Sequence, residues 1–172
     1  YQVEFLTGHT HTNHHAKIAE GVREHNVAAV CGTWWFNVKS ANGGADYDLC
    51  KDGSPTGYGV FKFNGTAVQW YYKGIEVARN EQFAVYDMNF VKSDYKSAVG
   101  AKANEVLVNV WNWDEDWTVS VTENGQPLTA TRVYRKDPRT THGRKPYWNR
   151  PTPPDRPTAP TSRATMPICS PP

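Results

Sequence analysis

Apolar and polar residues alternate with a period of two in several short runs, and helical periodicity is almost absent. The clearest case is GYGVFKFNGTAVQWYYKG, residues 57–74. Its two alternating halves meet at Asn64-Gly65, which predicts a β-hairpin closed by a two-residue type I′ turn. Residues 2–6 predict a short strand that stops at Thr7-Gly8, and residues 16–22 fit either a strand or a helical turn. The mostly apolar run HNVAAVCGTWWF, residues 25–36, predicts a strand buried on both faces. Residues 37–58 are dense in turn formers and predict a long loop. A connector over 80–103 holds one predicted strand, FAVYDM.

Farther along, Val106, Val108 and Val110 share one face of a strand. A turn at Asp114-Glu115-Asp116 leads to a second run around Val119 and Val121, and Asn124-Gly125 turns the chain into a third. Three hairpin-linked strands of this kind form one half of a β-sandwich. Beyond Arg135 the alternation dissolves, and eight of the twelve prolines fall within residues 151–172. Such sequence buries too little apolar area to offset its ordering entropy, so residues 140–172 are expected to be largely disordered.

The charge distribution sharpens this division. Residues 1–134 hold 11 Lys/Arg against 15 Asp/Glu, whereas 135–172 hold 8 against 2. A basic tail could touch an anionic surface, but a solvated, disordered terminus is the better reading, and no nucleic-acid partner is expected. No apolar stretch approaches the roughly 18–20 residues that span a bilayer, and no signal-peptide pattern is present. Seven Trp and nine Tyr suit the pleated surfaces of β-structure. Cys31 and Cys50 flank the long loop and fit equally a disulfide or two buried thiols. Their spacing matches no zinc motif.

Four of the six histidines lie within residues 9–15, directly after the first predicted strand. In an extended segment residues i and i+2 point the same way, so His9 and His11 can converge on one metal ion. Gly8 would give the backbone its sharp turn there. Neutral imidazole suits Zn, Fe, Mn or Ni, but two imidazoles fall short of a usual divalent site. His14 and His15 are adjacent and would point apart. His25 and His142 read as ordinary polar residues.

The segment TGHTHTN resembles the Gly-His-x-His motif that closes the metal site of the calcineurin-like metallophosphoesterases. Three further segments, CGTWW, DGSPTGYGVFKFNG and WYYKG, are similar to a bacterial secreted or envelope-associated subgroup with an extra C-terminal β-domain. VLVNVWNWDEDWTVSVTENG and YRKDP resemble that domain. The likeness covers about residues 1–138. It implies a mainly β chain with three parts. Residues 1–80 would be the last strands of the α/β-sandwich catalytic core and 81–138 a partial β-sandwich domain, while 139–172, where the likeness ends, is the tail that composition predicts to be disordered.

The resemblance also implies a role for His9 and His11, one on each of two divalent ions whose identity (Mn, Fe or Zn) is not set. In such enzymes a hydroxide bridging the two ions attacks the phosphorus of a phosphate ester. The family's other ligand motifs, Asp-x-His, Gly-Asp-x-x-Asp and Gly-Asn-His, do not occur here. The chain is therefore expected to be a C-terminal fragment, inactive alone, of an enzyme of the bacterial periplasm, envelope or exterior. The alternative is a non-catalytic tryptophan-rich β-domain that binds carbohydrate or another envelope component through Trp111 and Trp113. Those two tryptophans fit the core of a sandwich better than a sugar platform. Trp34, Trp35 and Tyr58 would lie near the rim of the intact site, and Asp52, Gly53 and Gly57 would shape a loop.

Overall fold

A computed structural model describes residues 1–33, 37–38 and 47–140. Strand β1 (Val3–Thr7) runs parallel to β3 (Val22–Asn26), and β2 (His14–Ala19) lies antiparallel on the other side of β3, in the order β1-β3-β2. Residues 16–22 are thus strand and turn. The β2–β3 register carries an irregularity between Lys17 and Ala19. This bulge sets His15 directly opposite His25.

The run expected as one buried strand over 25–36 is instead cut short. β3 ends at Asn26, and the chain turns at Gly32 (φ 53°), whose N–H donates to the Ala29 carbonyl at 3.0 Å. A Cβ on Gly32 would stand 2.7 Å from the Leu49 carbonyl oxygen, so only glycine permits this approach. Trp34 and Trp35 lie outside the described residues, as do His142, Cys169 and the rest of the tail from residue 141 on, while Pro138–Thr140 at its start form a short 3-10 helix. Within the long loop, β4 (Asn37–Val38) and β5 (Tyr47–Asp48) form a two-residue antiparallel ladder.

The hairpin of β6 (Gly57–Asn64) and β7 (Ala67–Gly74) forms as its alternation predicts, but its turn differs. Asn64 pairs with Ala67, which leaves Gly65 and Thr66 at the tip, and only Gly65 has positive φ. That is the Gly-X pattern of a type II′ turn, not type I′. The type I′ signature appears instead at Asn124-Gly125, where φ is 49° and 79°.

β8 (Phe83–Asp87) is antiparallel to β9 (Val106–Val110), with the one-and-a-half-turn helix α1 (Ser93–Ala98) in the connection. The last described strands, β10 (Val121–Glu123) and β11 (Gln126–Leu128), pair with each other. The expected meander of three consecutive strands is therefore not what forms. β9 pairs back across α1 with β8, and β10–β11 is a separate short hairpin.

The protein is mainly β. Two small apolar clusters tie its pieces together. Tyr72, Cys50, Ala28 and Trp111 form the first, and Tyr86, Met88 and Val91 the second, with Ala84 packed against both. Trp111 is 4 % exposed and belongs to the core. Cys31 and Cys50 are free thiols, with Cys50 buried and Cys31 partly so.

Candidate metal loop

The ladder between β1 and β3 ends at Thr7 and Asn26, and residues 8–12 bend away from it. The extended geometry expected for His9 and His11 is not present. Both residues adopt left-handed backbone angles, φ 76° and 60°, uncommon for side chains with a Cβ. Gly8 does not have positive φ, and a Cβ there would meet only an ordinary contact, the Val27 carbonyl oxygen at 3.7 Å. The turn is thus carried by the histidines themselves and not by Gly8. Strained residues of this kind persist only where their surroundings hold them.

The surroundings are dense. The Asn26 amide donates to Thr7 Oγ1 and to the Gly8 carbonyl, each at 2.9 Å, and Thr10 Oγ1 donates to Asn26 Oδ1. On the far side, Asp52 Oδ2 accepts the Asn13 N–H at 2.7 Å, while Asp52 Oδ1 accepts both N–H and Oγ–H of Ser54. Asn13 adds a bond from Nδ2 to Ser54 Oγ at 3.1 Å and accepts the Ala28 N–H at 3.0 Å. Lys51 donates its N–H to the His11 carbonyl at 2.9 Å. The loop of residues 50–54 therefore braces the histidine loop.

His11 is buried and His9 is exposed. His11 Nδ1 donates to the Gly32 carbonyl. A carbonyl oxygen only accepts, so the proton sits on Nδ1 and, in the neutral ring, the lone pair is on Nε2. A main-chain carbonyl that fixes tautomer and ring orientation in this way is the usual support of a metal-ligating histidine. Cys31 Sγ lies 3.9 Å from the same Nδ1. Among the described residues, no three His, Cys, Asp or Glu side chains gather closely enough to hold a metal ion. The donor set of the described residues does not make a complete two-ion centre.

Two of the other histidines, His15 and His25, are not the bystanders that the sequence suggests. His14 is exposed, but His15 and His25 are a couple: their Nδ1 atoms are 2.6 Å apart. His25, fully buried, also bonds Glu4 Oε2 through Nε2 at 2.8 Å, and His15 Nε2 bonds Asn112 Oδ1 at 2.8 Å. Trp70 and Phe61 flank His25. Burial, and then the neighbouring His25, lowers the His15 pKa to about 4. Sequence reading missed this pair, because only the bulge between Lys17 and Ala19 sets His15 opposite His25.

Trp113 has one aromatic face covered. The Arg132 guanidinium carbon lies 3.5 Å from its ring centroid. A cavity of about 160 Å³ opens beside it, lined by His15, Lys17, Arg23, Asp114 and Glu115 among others. Across it Lys17 pairs with Glu115 at 3.4 Å and Arg23 with Asp114 at 3.7 Å, while Arg132 stacks on Trp113. Asp114 is buried, and its pair with Arg23 anchors the Asp114–Asp116 turn to β3.

A second brace lies where YRKDP meets the same 50–54 loop. The buried carboxylate of Asp137 accepts from Tyr86 Oη, from Asn109 Nδ2 at 2.8 Å and from the Arg139 N–H at 2.7 Å. Arg139 also donates to the Gly53 carbonyl, and Asn109 Nδ2 to the Asp52 carbonyl at 2.7 Å.

These features describe a strand-rich protein in which a histidine turn of unusual backbone geometry is braced by a Cys-x-Asp-Gly-Ser loop. The model of the family described as the C terminal of calcineurin-like phosphoesterase matches residues 24–166, and the chain belongs to that family. No curated protein and no solved structure matches the chain. Among the described residues, no helix is long and apolar enough to cross a membrane.

Proposed function

We propose that this chain is the C-terminal part of a two-metal-ion phosphoesterase that hydrolyses phosphate esters, with His9 and His11 among the metal ligands. The observation that carries the reading is the bond from His11 Nδ1 to the Gly32 carbonyl, which presents Nε2 as the lone-pair nitrogen. Family membership supports it, because calcineurin-like phosphoesterases are generally metal-dependent. When bound, two divalent ions would supply Lewis acidity toward the phosphoryl oxygens and activation of the attacking water. This chain's own contribution is positional. Gly32 orients His11, and Asp52, Ser54 and Asn26 hold the backbone on both sides of the two histidines.

The remaining ligands are proposed to come from other parts of the enzyme, so that the chain alone lacks activity. The same resemblance supports a location in the bacterial periplasm, envelope or exterior. The test is hydrolysis of a chromogenic phosphate monoester and diester with added Mn²⁺, Zn²⁺ or Fe²⁺. This chain should give no turnover above buffer, whereas the polypeptide extended with the missing motifs should be active and lose activity in His9→Ala and His11→Ala. Robust turnover by the short chain, or full activity in both substituted enzymes, would reject the proposal.

The carbohydrate-binding alternative would need Trp111 and Trp113 as a platform. Trp111 is in the core and Arg132 covers Trp113, so no observation favours it.

A further inference from the structure

The bonds among Glu4, His25, His15 and Asn112 form one unbroken chain through four segments: β1, β3, β2 and the turn that follows β9. None of these residues belongs to the metal loop. Hydrogen-bond direction fixes how many protons the chain can hold. Asn112 Oδ1 only accepts, so His15 Nε2 must carry a proton. In a neutral His15 the lone pair is then on Nδ1, which obliges His25 Nδ1 to donate across the 2.6 Å contact.

With Nδ1 committed, His25 Nε2 can bond Glu4 in two ways. Either it carries a second proton and donates to the carboxylate, or it accepts from the protonated carboxyl. Both cases place one additional proton between Glu4 and His25. Remove that proton and His25 can serve Glu4 or His15, but not both. A further proton on His15 Nδ1 sets two N–H groups against each other at a bond's length.

We propose that Glu4, His25, His15 and Asn112 are a one-proton latch, which docks the β1–β3–β2 sheet on the turn after β9 at intermediate pH and releases it when a second proton enters.

The environment makes the latch selective. Trp70 lies against both imidazoles, with ring centroids 4.5 Å from His25 and 5.6 Å from His15, and Phe61 lies 5.2 Å from His25. These rings leave little room for water to replace a broken bond. The charged groups around it are Glu4 from β1, Lys17 from β2, Arg23 from β3, and Asp114, Glu115 and Asp116 from the turn after β9. Asp114 favours a charged His15, while His25 opposes it. Arg23 sits over Trp70 and is paired to Asp114 and Asp116, and Lys17 is paired to Glu115 and Asp116. These ion pairs cross the same junction, and the Asp114 carboxylate among them is buried.

Two measurements on the full chain test this. Long-range proton–nitrogen correlation of the imidazoles at pH 7 should show the His15 proton on Nε2 and a proton on His25 Nδ1. The opposite tautomer at either ring overturns the proposal, and this reading needs no substitution. Amide exchange, corrected for intrinsic rates, should then accelerate about tenfold at residues 15, 25 and 112 between pH 7 and pH 4.5, while β6–β7 changes little. His15→Gln, which has no site for the second proton, should lose that acid response. An equal acceleration in the wild type and in His15→Gln overturns it.

Discussion

The Asp52 carboxylate accepts the backbone N–H of Asn13 at 2.7 Å, joining two loops 39 positions apart. Its other oxygen caps Ser54, so a single side chain shapes one loop and holds the next. Asp52→Ala would leave three donors without their acceptor, a loss of about 2–4 kcal/mol. The expected result is a lower urea midpoint together with faster amide exchange at Asn13 and Ser54. An unchanged midpoint would show that the brace contributes nothing.

If His9 and His11 are ligands, the chain alone should bind Zn²⁺ or Mn²⁺ only weakly, since two imidazoles make half a site. Titration followed by histidine ring resonances should shift His9 and His11 together, with dissociation constants on the order of 0.1–1 mM. His9→Ala/His11→Ala should abolish those shifts. Tight binding that survives the double substitution would place the metal elsewhere.

His15 gives stability a pH dependence of definite sign. Its folded pKa of about 4 lies below the 6.5 of an unperturbed histidine, so the unfolded chain takes up protons first as pH falls. The stabilisation is complete above about pH 6.5 and is lost progressively down to about pH 4, on the order of 2–3 kcal/mol in all. Urea midpoints measured across that range should fall with acid, and fall less steeply in His15→Gln. A flat profile in the wild type would contradict the burial of this ring.

How far the sequence could be read depended on whether the deciding contact was local. The β6–β7 hairpin was legible because alternation and a glycine turn specify it within 18 residues, although which residue sits at the tip was set by register. The pairing of β9 was not legible. Val106–Val110 has the same alternation whichever neighbour it joins, and the choice of β8 follows from long-range packing of Ala84 and Leu107 around Tyr86. His9 and His11 could be picked out by type and spacing, but their i, i+2 geometry assumed a strand that ends at Thr7. His15 and His25 were hidden by one residue. The bulge between Lys17 and Ala19 sets His15 opposite His25, and a regular ladder from the Ala19–Val22 pair would have set it opposite Asn26.

Gly53 and Gly125 allow the packing around Asp137 to be separated from backbone preference. Their φ angles are 80° and 79°, so replacement by alanine costs each the same left-handed strain, about 1 kcal/mol. Their surroundings differ. A Cβ on Gly125 meets nothing within 4 Å, whereas one on Gly53 would stand 2.1 Å from Asp137 Cγ. Asp137 cannot move aside without giving up Tyr86, Asn109 and Arg139. Gly125→Ala should therefore destabilise by about 1 kcal/mol and Gly53→Ala by about 3 kcal/mol or more. Tyr86→Phe, which removes one donor from the same carboxylate, should fall between them at about 1–2 kcal/mol. Equal urea midpoints for the two glycine variants would mean that the 50–54 loop does not rest on Asp137, and the brace linking YRKDP to the histidine loop would fall with it.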